Sequence, residues 1–447
     1  MRRELDKEIW RLAVPAFLAL VAEPLFLLGD AAIVGHLGTA ELAGLGLAAV
    51  VLQTAIGLCV FLAYGTTASV ARHLGAGDRR RALVQGVDGV WLAVLIGVLT
   101  TAAGVASAGS LVGLFGAGEQ VTAHATTYLR IAFLGTVPLL VMLATTGVLR
   151  GLQDTRTPLV VAVAGNVLNI VLNVLLVYGV GPVGGLGLAG SAIGSVLAQV
   201  ASAAALLTVV VRAARREGAS LRPDLPGIRA AARAAVALVV RTLTLRAALL
   251  VTTYAVTVGP HDPGAVELAT HQLALTLWTF LAFVLDAIAI AAQAITGRYL
   301  GAGDVESTRA VTRRMAGWGL ASGVVSGVLL AAGSPFLGPL FSADPDVHRL
   351  LVPVLLVAAL GQPVAGVVFV LDGVLIGAGD GAYLAWGGLV TLLVHAPLVL
   401  LAAHLVGGLV AVWVVFCGAF MGARLLVLAQ RARGDRWLVT GAPKVTA

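Results

Sequence analysis

Glu23 and Asp30 lie seven residues apart in one apolar stretch, with Pro24 next to the first of them. Seven residues are close to two helical turns, so in a helix both carboxylates share a face, and Pro24 breaks the backbone ladder between them. A carboxylate beside such a hinge can change the shape of its helix when it gains or loses a proton. Against that stands a plainer reading, in which Pro24 is an ordinary kink and Glu23 reaches the interface. Asp30 has no such exit, because it lies deep in the stretch, where an ionised side chain costs about 2.5–3.5 kcal/mol.

A second constellation is Asn166, Asn169 and Asn173, an i, i+3, i+7 stripe on an otherwise aliphatic segment. Interhelical hydrogen bonding is the plain role for such a stripe. The next segment opens GGLGLAGSAIGS, whose small residues (Gly187 and Ser191, Gly190 and Gly194) recur at four-residue spacing and let backbones approach closely. Ser191 can also present a hydroxyl to the asparagines. The second half carries Asp286 and Asp372 as candidates for a substrate cavity, with His395, Arg241 and Arg246. An Asp–Arg pair and a cavity-lining acid are equally open readings there, since charges in apolar spans commonly pair with one another. No HExxH, GxSxG or histidine cluster is present, so catalytic residues and a metal site of that kind are not expected. Cys59 and Cys417 lack the spacing of a zinc or redox pair and read as packing residues.

The elements that must position these groups follow from composition. Mean hydropathy is +0.99, and 59% of residues are hydrophobic against 11% charged, less than half the roughly 25% charge of a soluble domain. Apolar runs long enough to cross a bilayer recur from end to end. Counting them between turn signals predicts twelve helices, at about 8–36, 41–69, 82–108, 119–148, 157–179, 184–212, 228–258, 264–296, 309–334, 346–376, 382–403 and 406–430. The net charge of +7 would raise nucleic-acid binding in a soluble chain. Here all but four of the 29 Lys and Arg fall in six clusters at alternate loops. That is the positive-inside pattern, so nucleic acid is excluded as a partner, the bilayer is the solvent, and both termini are expected in the cytoplasm.

The chain also repeats itself. Arg72-His-Leu-Gly-Ala-Gly-Asp78 returns as Arg298-Tyr-Leu-Gly-Ala-Gly-Asp304, and Gly147-Val-Leu-Arg-Gly151 as Gly373-Val-Leu-Ile-Gly377, both at an offset of 226. LFGAGEQV returns as LFSADPDV at the same offset, and VGGL at 223. Two six-helix units that enter the membrane in the same direction are an architecture of transporters. The expected division is an N-lobe over 1–215, a cytoplasmic linker over 216–227, a C-lobe over 228–430 and a short basic tail over 431–447.

EPLFLLGDAAIVGHLG at 23–38, GAGD after the second span, NVLNIVLN in the fifth and LDGVLIGAGD at 371–380 resemble the multidrug and toxic compound extrusion (MATE) transporters, specifically their DinF-type branch. The resemblance covers essentially the whole chain. It implies an all-α membrane fold of twelve helices in two pseudo-symmetric lobes, which exports cationic drugs in exchange for protons or sodium. It further implies a proton and cation site built on Asp30, with Asn169, Asn173, Ser191 and Tyr128 around it and Glu23 and Pro24 at the hinge. Many relatives carry a second carboxylate where this chain has Asn173. One carboxylate with amide and hydroxyl oxygens holds less charge against a hard cation, so proton coupling is favoured, with sodium at Asp30, Asn169 and Asn173 kept open.

The expectation is therefore an antiporter in the plasma membrane, not an enzyme, that needs no cofactor beyond its coupling ion, takes small organic cations and is monomeric. A flippase of a lipid-linked anion is the alternative, kept open by Arg130, Arg241 and Arg246. A major-facilitator transporter would carry glycine four residues before Asp78, where this chain has Leu74. A non-transporting scaffold would show no dependence of any flux on Asp30.

Overall fold

The computed structural model describes residues 2–180, 183–258 and 265–441. It is almost wholly helical. In the first half α1 runs Arg2–Gly35, α2 Thr39–Leu58, α3 Phe61–Gly75, α4 Arg79–Gly113, α5 Glu119–Leu134, α6 Thr136–Gly151, α7 Arg156–Tyr178 and α8 Leu188–Arg216. In the second, α9 is Leu225–Thr257, α10 Ala265–Gly301, α11 Val305–Phe341, α12 Pro345–Gly377, α13 Gly381–Leu405, α14 Leu409–Val415 and α15 Met421–Arg433, with a π-helical turn at Phe416–Phe420 between the last two.

Among the described residues, eleven continuous stretches are long and apolar enough to cross a membrane, and α5 with α6, bent by 48°, make a twelfth when taken as one span. α2 and α3 form one of these, and α14, the π turn and α15 another. The bend has a local cause. Pro138 lacks the N–H that would bond the carbonyl of Leu134, and Gly135 stands at the break. Several helices run past the expected ends, α11 by seven residues at Phe341, because a helix does not stop where hydrocarbon does. The connection between α8 and α9 spans 217–224 and is fastened to the first half. Arg80 donates to the Gly218 carbonyl at 3.0 Å, Trp91 to that of Leu221 at 3.1 Å, and the Asp224 amide to Asp88 at 3.3 Å.

The repeat is visible atom by atom. Gly77 and Gly303 both adopt positive φ, 78° and 79°, and the aspartates that follow both cap a helix. Asp78 accepts from the amide of Arg81, and Asp304 from that of Ser307. Bonds from Ser307 hold the Asp304 carboxyl below the usual carboxylate range. Its folded pKa is lowered, so this cap stabilises fully above the ordinary carboxylate value and is lost as pH falls through the lowered one. A Cβ on Gly147 would meet the Ala63 carbonyl at 2.6 Å, and one on Gly373 that of Ala289 at 2.4 Å, partners that are themselves 226 residues apart. Gln153 and Gly379, also 226 apart, both take left-handed φ, 67° and 76°.

The chain divides into two compact units, Val14–Ala235 and Val236–Gly441, the latter joined by Met1–Ala13. The first turns of α1 therefore group with the second half rather than the first. The reason is polar: Arg314 binds Asp6 through two nitrogens at 2.7 and 2.6 Å, Trp318 donates to Asp6 at 2.8 Å, and Arg298 pairs with Glu8 at 2.7 Å. Of the short basic tail expected over 431–447, residues 431–441 are described and 442–447 lie outside the described residues. Arg431 binds Asp380 at 2.6 Å, and Trp437 is buried and donates to the Ala432 carbonyl.

Adding a methyl at Gly373 must push α12 from α10, so Gly373→Ala is expected to cost about 1–3 kcal/mol as an overpacked contact. Gly46→Ala, where a Cβ meets nothing within 4 Å, is expected to be neutral. Thermal unfolding of the detergent-solubilised variants, followed by fluorescence, separates the two.

Candidate functional site

Pro15 and Pro24 both lie inside α1. Pro24 removes the donor that the Leu20 carbonyl would have received, which loosens the helix locally. The neighbouring backbone is held from outside: Asn166 on α7 donates its amide to the Ala22 carbonyl at 2.7 Å. Further along, the Tyr178 hydroxyl donates to the Ile33 carbonyl at 2.8 Å, and Gly29 leaves room for Ile170. α7 thus clasps the half of α1 that carries Asp30. Glu23 lies on α1, but its side chain is outside the described residues.

Asp30 is buried, 3% exposed, and two neutral donors reach it. Asn173 donates its amide to Oδ1, and the Ser195 hydroxyl donates to Oδ2 at 3.2 Å. Asn169 backs both: it donates to Ser195 Oγ at 3.0 Å and accepts from Asn173 at 3.3 Å. Asn169 and Asn173 are fully buried. The asparagine stripe therefore serves two ends at once, with Asn166 at the kink and Asn169 and Asn173 at the carboxylate. Gly194 makes this possible, because a Cβ there would lie 2.1 Å from Asn173 Oδ1.

The hydroxyl that bonds Asp30 belongs to Ser195 and not to Ser191. Ser191 is fully buried and its Oγ has no hydrogen-bond partner among the described residues. The phenol of Tyr128 faces Asp30, Ser191 and Ser195, and its ring packs in a core cluster with Val34, Leu188 and Ala192. Ser195 was within reach of sequence reasoning. It follows Ser191 by four residues on the same face, and treating that face only as a packing stripe hid it.

In the second unit, Asp372 on α12 is ion-paired. Arg241 on α9 binds both of its oxygens, and Arg424 on α15 lies 3.5 Å away, with its guanidinium over the rings of Phe369 and Phe420. Of the two readings open for this residue, pairing is the one displayed, although Asp372 also lines a cavity of about 20 Å³, room for roughly one water. Asp286 is half-buried on α10, Arg246 half-buried on α9, and Arg130 exposed on α5. His395 is fully buried and bonds the Thr252 hydroxyl at 2.8 Å.

As a cation site, the Asp30 cluster offers one carboxylate, two amide oxygens and two hydroxyls. One formal charge suits a proton or a monovalent ion; Ca²⁺ and Mg²⁺ sites generally gather more carboxylate. No group of three His, Cys, Asp or Glu that could hold a metal occurs among the described residues.

The MatE family pattern matches residues 15–175 and again 242–401. The chain is 32% identical to Protein DETOXIFICATION 44, chloroplastic, of Arabidopsis thaliana, over 96% of this chain and 82% of that protein. It is 31% identical to the DNA damage-inducible protein F of Escherichia coli strain K12, over 83% and 81%. Among solved structures it resembles the Vibrio cholerae MATE transporter VcmN in the bent form, with a TM-score of 0.86 at 19% identity over 98% and 99% of the two chains. A MOP superfamily transporter from Pyrococcus furiosus gives 0.84 at 20% identity over 95% of both.

If Ser195 supplies the second donor, Ser195→Ala leaves the Asp30 network one bond short and should cost about 1–3 kcal/mol at neutral pH. Ser191→Ala removes a hydroxyl that faces Tyr128 and does not bond Asp30, and should cost less. Equal losses in thermal stability would show that the two hydroxyls share the site.

Proposed function

We propose, from the premise that this chain belongs to the MatE family of multidrug and toxin efflux transporters, that it exports lipophilic organic cations in exchange for protons by alternating access, with Asp30 as the proton carrier. The observation that carries this reading is a lone carboxylate buried in a membrane span and held by neutral donors, next to a proline-interrupted stretch of the same helix. Among the described residues no arginine or lysine pairs with it, so a proton is the natural means of neutralising it.

The chemistry of the switch follows from who donates. As an anion, Asp30 accepts from Asn173 and Ser195 on separate oxygens. Once protonated, one oxygen becomes a donor and can no longer face a donor. Asn173 Oδ1, buried and without a hydrogen-bond partner among the described residues, supplies an acceptor when its amide turns. That rearrangement alters the clasp of α7 on α1 one and a half turns from Pro24, where the helix bends most cheaply. Loss of the charge also weakens the hold on a cationic substrate, so proton uptake from outside favours release there.

Sodium is the second coupling ion that this oxygen set can hold, at Asp30, Asn169 and Asn173. The flippase reading asks for cationic groups free to hold an anion, and Arg241 and Arg424 instead face Asp372. An even number of spans with basic clusters at alternate loops supports two cytoplasmic termini in the plasma membrane, and no feature of the sequence calls for a dimer.

With Asp30 as the only carrier, exchange of one proton for one monovalent cation moves no net charge. The pH gradient then drives it at about 1.4 kcal/mol per pH unit. For a neutral or zwitterionic substrate the membrane potential adds roughly 2.3 kcal/mol per 100 mV. In proteoliposomes loaded with a fluorescent lipophilic cation, the wild-type protein is expected to move dye under an imposed pH gradient, and Asp30→Asn is not. Wild-type rates in Asp30→Asn would sink the proposal, and flux under a sodium gradient alone would transfer it to sodium.

A further inference from the structure

The three elements that build the Asp30 site have counterparts in the second half: α9 for α1, α13 for α7, and the span of α14, the π turn and α15 for α8. The residue 226 positions after Asp30 is Val256, so no acid is repeated. The residue 226 positions after Asn169 is His395. It is fully buried, and its ring packs on Phe416 and Phe420, whose own rings are stacked at 16°. Those two residues bound the π turn, which also holds Gly418, 223 positions after Ser195. π turns inside α-helices concentrate at functional sites.

The hydrogen bonds fix where the imidazole proton sits. Thr252 Oγ lies 2.8 Å from the Ala248 carbonyl and 2.8 Å from His395 Nε2. A hydroxyl has one proton and a carbonyl none, so Thr252 donates to Ala248 and must accept from Nε2–H. Nδ1 is then the bare nitrogen, and it has no partner among the described residues. His271 on α10 makes the contrast. Thr253 donates to the Leu249 carbonyl and accepts from its Nε2, and Trp413 Nε1, which can only donate, occupies its Nδ1 at 3.3 Å. Both nitrogens of His271 are filled in its neutral form, whereas His395 keeps one lone pair open.

We propose that His395 Nδ1 is a second proton-binding site, in the second half of the chain, at the place corresponding to Asn169. Thr252, one turn from Val256, holds Nε2 in either protonation state, and the rings of Phe416 and Phe420 pack against the imidazole at 6.2 and 5.3 Å between centroids. The charged and titratable groups on the surrounding elements include Arg424, one turn beyond Phe420, the Arg241–Asp372 pair, with Arg241 eleven residues before Thr252, Arg246 and Tyr254, six residues before and two after Thr252 on α9, Asp286 and His271 on α10, and Cys417 in the π turn. On the export reading above, on which its role in transport rests, this site adds a proton to the cycle in the half that lacks an acid corresponding to Asp30.

The test is a pH titration of the whole protein in lipid nanodiscs, with ring nitrogens labelled in its eight histidines and followed by NMR. The signal lost in His395→Gln identifies the ring; should that variant not fold, Thr252→Val identifies it by shifting its Nε2 alone. As the pH is lowered through the range in which the protein remains folded, Nδ1 of His395 is expected to change from unprotonated to protonated before His271 does. A bare Nδ1 over the whole range in which the protein remains folded overturns the proposal, as does titration of His271 ahead of it. The same titration in Asp30→Asn is expected to be unchanged, so a failed transport assay and a failed titration point to different residues.

Discussion

A carboxylate surrounded by hydrocarbon has to be given donors or given a proton, and the first half of this chain is organised around meeting that demand at Asp30. The donors come from two other helices, Asn173 on α7 and Ser195 on α8, with Asn169 behind them. To bring those helices in, the backbone has to be thin where Asn173 turns towards α8, which is why position 194 has no side chain. The asparagine that does not reach the carboxylate holds the carbonyl beside the kink instead. Fastening and function are therefore not competing readings of the stripe, because the bonds that dock α1 are also those that a proton on Asp30 rearranges.

The second half solves the problem of buried charge differently. Its acid, Asp372, is matched by two arginines, one of which also lies over two aromatic rings. Breaking such a pair leaves an uncompensated ion, so this cluster reads as fixed. Its helices meet with almost no side chain between them: a Cβ at Gly319 would reach the Gly366 carbonyl at 2.4 Å, and one at Gly366 the Gly319 carbonyl at 2.0 Å. Close backbone contact of this kind leaves little room for sliding, and it places the mobile chemistry of the second half elsewhere, at the aromatic-lined imidazole.

Much of this was legible in the sequence because a bilayer makes local signals sufficient. Hydrophobic length marks a span, and helical spacing put the three asparagines on the face of α7 where they bond α1 and α8. What was not legible depends on distances across the chain. Nothing in the sequence could choose between a free Asp372 and a paired one, because Arg241 is 131 residues away. The first turns of α1 went to the other unit through Asp6 and Glu8, polar residues that look like a solvated start. Ser195 was missed for the opposite reason, since a local explanation, close packing, already accounted for its neighbours.

The left-handed residue shared by the two halves has a consequence beyond the turn it closes. Glycine takes that conformation freely at 379, whereas Gln153 takes it at a cost of roughly 1–2 kcal/mol. The two halves thus share a backbone path although only the second has the residue suited to it. Each of these residues stands just before a span, and sixteen residues on, after about 20 Å of helix, stand Asn169 and His395. The turn acts as a datum from which position along each helix is counted, so that an amide in one half and an imidazole in the other stand at corresponding positions of their own helices.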